Sequence, residues 1–117
     1  MKLTQDEISK YAQAAGFEGN NLRIAAAIAM AESGGDTEAI GDEDITVGGS
    51  WGLWQVNLRW HPEYYRDPNS LHDPQKNADA AFKIFQEQGF NAWSTYKNGA
   101  YAHYLYSGPQ TFMDESD

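Results

Sequence analysis

The chain has no cysteine, few basic residues and no long apolar run, and each shortage closes a class of function. Without cysteine there is no disulfide framework, no thiolate metal site and no cysteine nucleophile. Only 8 Lys and Arg stand against 17 Asp and Glu, a formal net charge of −9. Nucleic-acid binding needs a basic face, so it is not expected. The longest apolar run, Ile24 to Ala31, is far short of the roughly 20 residues that span a bilayer, and membrane insertion is not expected either. The opening MKLTQDEISKYAQ lacks the apolar stretch of a secretory signal. The expectation is a protein that reaches its target by another route, or a domain excised from a longer one. His61, His72 and His103 have no ligand-like spacing. Asp42 and Asp44 resemble the start of a calcium loop, but Val47 stands where its Gly belongs and Leu53 where its closing Glu belongs. No metal or other cofactor is expected.

What remains is one domain's worth of chain. At 117 residues a fold of this size buries roughly 65% of its unfolded surface, enough for a core without staples. The reading is a single domain over 1–106 and a polar, acidic tail over 107–117, in a monomer. Aromatics are plentiful, at 14% with four Trp. Each ring is either core or a platform for a flat ligand; Trp93 reads as core and Trp54 as the best candidate for ligand contact.

Local signals place the helices. Thr4 and Glu7 form a T-x-x-E capping box before Ile8, Tyr11, Ala12 and Ala15, with Gly16 as the stop. A second helix begins with Asn20 or Asn21 as cap and runs to about Ser33, before Gly34 and Gly35. Residues 36–50 carry five acids, no base and three glycines, and read as a loop or small hairpin. A short helix is expected from Gly52. Asp73 and Pro74 open a further helix to Gln88, with Ala78, Ala81, Phe82 and Phe85 inward and Gly89 as the stop. A last short helix follows Asn91. The fold class is mostly α.

The run RIAAAIAMAESGG poses the functional question. Ile24, Ile28 and Glu32 lie at i, i+4 and i+8, on one stripe of the second helix. Glu32 thus shares a face with two core isoleucines in the helix's last turn. Burial, the negative helix end and the acids at 36–44 all favour its protonated form. Spacing alone equally allows a Glu whose head reaches solvent.

A resemblance decides between these. AMAESGG followed by SWGLWQVN, then DPQKNADAAFKIF, then AWSTYKNGAY, resembles the soluble lytic transglycosylases and goose-type lysozymes. The four elements stand in the family's order over Leu22 to Tyr101, and their wording is closest to lysozyme-like domains of phage lysins and tail proteins. The resemblance implies a lysozyme-like fold with a small loop or β-hairpin after the catalytic helix. It implies cleavage of the β-1,4 bond between N-acetylmuramic acid and N-acetylglucosamine in bacterial peptidoglycan glycan strands, by a phage-encoded protein acting on the wall. Glu32 matches the catalytic acid. Ser50, Trp54, Gln55 and Asn57 fall in the segment that floors the sugar site. Tyr96 matches a tyrosine near the catalytic carboxyl, Tyr101 closes the same element, and Asn77 is either a substrate contact or a structural hydrogen-bonder. The family's Y-N-x-G reads Tyr96-Lys97-Asn98-Gly99 here.

Mechanism stays open at this level. An inverting hydrolase needs a second carboxylate about 6.5–9.5 Å from the acid, and Asp42 and Asp44 are the candidates. Two apart on a strand, they would share one face. A lytic transglycosylase needs no second carboxylate, because the substrate's own C6 hydroxyl attacks. A non-catalytic wall-binding module on the same fold is the competing class.

Overall fold

Capping chemistry sets the first helix. Thr4 Oγ1 accepts from the Glu7 N–H at 3.1 Å, and the Glu7 carboxylate accepts from the Thr4 N–H at 2.8 Å. This complete capping box opens α1, Gln5–Ala15. Gly16 ends it at φ 130°, where a Cβ would meet the Phe82 ring at 2.6 Å. The computed structural model describes residues 1–41, 48–64 and 66–105.

The second helix, α2, spans Gly19–Ser33 and starts differently from the expectation. Its N-cap is Glu18, with no side-chain capping bond, and Asn20 and Asn21 lie inside the first turn. Packing sets its position: Ala25, Ala26, Ala27, Ile28 and Ala29 are all buried, and tertiary burial stabilises a helix more than its cap does. The end is as expected. Gly34 adopts the left-handed conformation at φ 64°, and its N–H donates to Met30 O at 2.8 Å. The first residues of the chain pair with the segment just beyond. Leu3 N–H donates to Gly35 O, and Thr37 N–H to Met1 O, both at 2.9 Å.

Three short antiparallel strands follow in the order β1 (Ile40–Gly41), β2 (Ser50–Trp51), β3 (Val56–Asn57). Ile40 pairs with Trp51, and Ser50 with Asn57. The expected hairpin after the second helix is thus a small sheet. The helix expected from Gly52 does not form. Gly52 at φ 78° and Gln55 at φ 51° close a tight turn between β2 and β3, with Gln55 N–H on Gly52 O at 3.0 Å. Two positive φ values within four residues are incompatible with a right-handed helix.

Short 3₁₀ turns at Pro62–Tyr64 and Pro68–His72 lead into α3, Pro74–Gln88. Asp73 caps it by accepting from Lys76 N–H at 2.9 Å, and Gly89 ends it. Its buried face is Asn77, Ala78, Ala80, Ala81 and Ile84. Phe82 and Phe85 are half-buried and lie against Phe17, with ring centroids 5.0 and 5.3 Å away. The single last helix expected after Asn91 is divided into a 3₁₀ turn at Phe90–Ala92, α4 (Ser94–Lys97) and α5 (Ala102–Leu105).

The core lies where α1, α2 and α3 meet the turn after β2. Ile8, Phe17, Ile28, Leu53 and Trp54 are each at most 1% exposed, and a buried side chain of that kind contributes roughly 1.5–3 kcal/mol. The described residues form a mostly helical fold with one small sheet after the second helix. Among them no helix is long and apolar enough to cross a membrane. The acidic tail at 107–117 lies outside the described residues.

Candidate active site

Glu32 is the penultimate residue of α2 and is half-buried. Its Oε2 accepts a hydrogen bond from the Thr95 hydroxyl at 2.8 Å. Thr95 is itself held in place. Its carbonyl accepts from Tyr101 N–H at 3.1 Å, and it lies on α4, whose N-cap is Trp93. The Trp93 indole N–H donates to Trp54 O at 2.8 Å, and the Trp54 indole N–H donates to Ala25 O at 2.9 Å. Ala25 is on α2, so this relay returns to the helix that carries Glu32. Both indoles are buried, at 5% and 1% exposure, where a satisfied hydrogen bond costs nothing and an unmade one costs about 1–3 kcal/mol. Thr95 was not singled out from the sequence. Its only signal is its place one residue before Tyr96 in the AWSTYKNGAY element.

The burial of Trp54 corrects one expectation. A ring 1% exposed, with its N–H spent on a helix carbonyl, offers no face to a sugar. Trp93 is core, 5% exposed.

Asn77 decides between its two readings in favour of structure. It is 0% exposed. Its Oδ1 accepts from Trp54 N–H at 2.9 Å, and its Nδ2 donates to Trp51 O at 2.9 Å and Leu71 O at 2.8 Å. Both amide hydrogens and the carbonyl are used, so the substrate-contact reading is corrected. Gly52 is required beside it, because a Cβ there would run into Asn77 Nδ2 and Leu71 O. One amide thus fastens the β2–β3 turn to α3.

Gln55 is half-buried and is the non-glycine residue with positive φ among those described. Its Nε2 donates to Ala39 O at 3.1 Å and to Gly52 O at 3.0 Å. These bonds hold a backbone conformation that costs of order 1–3 kcal/mol. Its Oε1 lies against Gly41, where a Cβ would approach to 2.6 Å. Ser50, 2% exposed, accepts from Asn57 Nδ2 at 2.9 Å across the β2–β3 pair. Tyr96 and Tyr101 are half-buried and stacked, with centroids 4.8 Å apart, and Tyr96 also faces Phe90 at 5.5 Å. The structure therefore joins Glu32 to the AWSTYKNGAY element through Thr95, and Gln55 to the sheet and its turn. Asp42 and Asp44 lie outside the described residues. Elsewhere, burial raises the Tyr64 phenol above its usual value, helped by the negative charges of Glu63, Asp79 and Glu87, so it stays neutral at physiological pH.

A helical domain whose second helix ends in an inward glutamate, followed by a small antiparallel sheet and a hydroxyl-bearing element that returns to that glutamate, has the lysozyme-like architecture. Over residues 9–95 the chain matches the family described as lysozyme-like domain, and it belongs to that family. The matched span includes both Glu32 and Thr95. No curated protein and no solved structure matches the chain. Membership makes this a domain of the peptidoglycan glycosidase and transglycosylase kind, with the cell wall as its target.

Proposed function

We propose that this domain is a muramidase, cleaving the β-1,4 bond from N-acetylmuramic acid to N-acetylglucosamine with Glu32 as general acid. The observation that carries the reading is the Thr95–Glu32 hydrogen bond at 2.8 Å. It holds a half-buried carboxyl in one orientation at a helix end, in a fold whose family acts on glycans. A wall-binding module would have no use for an acid so held.

In the proposed reaction the Glu32 carboxyl gives its proton to the bridging oxygen as the bond to C1 of the muramic acid breaks. General-acid help of this kind supplies typically 10²–10⁴-fold. Water adds to C1 and gives up a proton to a second carboxylate, for which Asp42 and Asp44 are the candidates. The leaving N-acetylglucosamine departs with a free 4-hydroxyl, and Glu32 is reprotonated from solvent.

Glu32→Gln tests this directly. The amide keeps the size of the side chain and can still accept from Thr95, but it has no acidic proton. Turnover of purified walls is expected to fall by at least about 10²-fold with the melting temperature retained. Wall clearing within a few-fold of the parent would overturn the catalytic assignment.

A further inference from the structure

Phe90 is the ring through which the element carrying Thr95 meets the core. It is 8% exposed. Among the described residues it touches four other rings, with centroids 4.4 Å away for Phe85, 5.5 Å for Tyr96, 6.2 Å for Phe17 and 6.4 Å for Trp93. We infer that Phe90 is a positioning residue for catalysis, holding Thr95 in register with the Glu32 carboxyl. The inference rests on Glu32 being the acid, and it extends the machinery that sets this acid to a side chain with no polar group.

So small an element depends on what it packs against. The helix α4 has four residues, too few to hold itself. Thr95 lies between Trp93 and Tyr96, and Phe90 packs on both. The Trp93 side has further holds. Its indole N–H donates to Trp54 O at 2.8 Å, and its backbone N–H to Phe90 O at 3.0 Å. The Tyr96 side is different. Among the described residues Tyr96 touches two rings, Phe90 and Tyr101. Tyr101 is tied to Thr95 itself, by its N–H on Thr95 O at 3.1 Å. Tyr101 therefore moves with the element, and Phe90 is the ring that joins Tyr96 to fixed structure.

Phe90 is anchored in turn from two directions. Phe85 belongs to α3. Phe17 lies in the link between α1 and α2, is buried, and stacks on Trp54 at 6.5 Å. Gly89, at φ 72°, ends α3 and turns the chain so that Phe90 packs on Phe85. The tolerance at the far end is small. The Thr95–Glu32 bond is 2.8 Å long, and such a bond is lost by about 3.5 Å. A displacement of Thr95 by less than about 1 Å therefore releases the carboxyl. Removing a ring from a packed core leaves a gap that its neighbours partly fill by shifting.

The test compares Phe90→Leu with Phe82→Leu in the full chain, on purified walls and below both melting transitions. Among the described residues Phe82 touches the Phe17 and Phe85 rings but not Phe90, Trp93 or Tyr96. It therefore reports the cost of losing a ring from the same cluster. Phe90→Leu is expected to lower kcat by about three- to tenfold, up to the worth of one hydrogen bond to a carboxyl, with KM unchanged. The alkaline limb of its pH–rate profile should move upward, because a carboxyl that loses a hydroxyl donor stays protonated to higher pH. Phe82→Leu should lower the melting temperature alone. In a chain already carrying Thr95→Val, adding Phe90→Leu should change kcat by less than about twofold, since a residue that acts through Thr95 has nothing left to hold. Phe90→Met, a second variant without a ring, should behave as Phe90→Leu does. Wild-type kcat and profile in both Phe90 variants overturn the inference. So does an equal fall in Phe82→Leu, or losses that multiply in the Thr95→Val chain. Failure of the catalytic reading is separate: it shows as wall clearing by Glu32→Gln, whatever Phe90 does.

Discussion

Thr95 reaches across 63 residues of chain to place its hydroxyl 2.8 Å from the Glu32 carboxylate. Each partner sits at the edge of its own element, Glu32 in the last turn of α2 and Thr95 in the four-residue α4. A helix of four residues has no stability of its own. Its position is set by the Trp93–Trp54–Ala25 relay and by the stacked Tyr96 and Tyr101.

Thr95→Val removes the donor at nearly constant volume. One hydrogen bond to a carboxyl is worth about 1–1.5 kcal/mol, which is roughly a tenfold fall in kcat if orientation is what it supplies. The sign on pH follows from the donor. A hydroxyl that donates to a carboxylate favours the ionised form, so its loss keeps Glu32 protonated to higher pH. The alkaline limb of the pH–rate profile should therefore move upward, and Thr95→Ser should restore both rate and profile. A wild-type rate and profile in Thr95→Val would show that the contact does not position the acid.

Asn77→Ala should act on stability. It leaves the Trp54 N–H and the Leu71 and Trp51 carbonyls without their partner in a site with no exposure. The expected cost is about 3–5 kcal/mol, since each buried group left unmade costs about 1–3. Thermal unfolding would read this as a fall of roughly 10 °C or more. An unchanged melting temperature with activity lost would instead return Asn77 to the substrate-contact role.

The elements legible in the sequence were those whose signals are local. Thr4 with Glu7, and Asp73 with Pro74 and Gly89, bracket α1 and α3 within a few residues of chain. The start of α2 carried no such mark, because Glu18 makes no capping bond and the buried alanines hold the helix. Gly52 to Gln55 misled for a related reason. Its conformation rests on Asn77, 25 residues beyond Gly52, and on Gln55 reaching back to Ala39. No window around Gly52 contains those partners. The same holds for Trp54, whose burial is decided by Ala25 and Trp93. The helical spacing of Ile24, Ile28 and Glu32 left the glutamate's surroundings open, and only the family resemblance singled it out, whereas its contact with Thr95 exists only in the folded chain.

The fate of the cleaved bond separates hydrolysis from transglycosylation. Hydrolysis is the preferred outcome, because Asp42 and Asp44 follow α2 closely in the sequence and supply candidates for a water-activating carboxylate. Products should then carry reducing-end N-acetylmuramic acid, read by mass spectrometry of the digested wall. Asp42→Asn or Asp44→Asn should slow the reaction nearly as much as Glu32→Gln, since in an inverting hydrolase both carboxylates act in one step. In the alternative, the C6 hydroxyl of the muramic acid attacks C1 and gives its proton to the Glu32 carboxylate, and the product is a 1,6-anhydro sugar. Dominant anhydro products with both Asn variants active would assign acid and base to Glu32 alone. Thr95 would then serve both half-steps, orienting the carboxyl as it gives its proton and again as it takes one back.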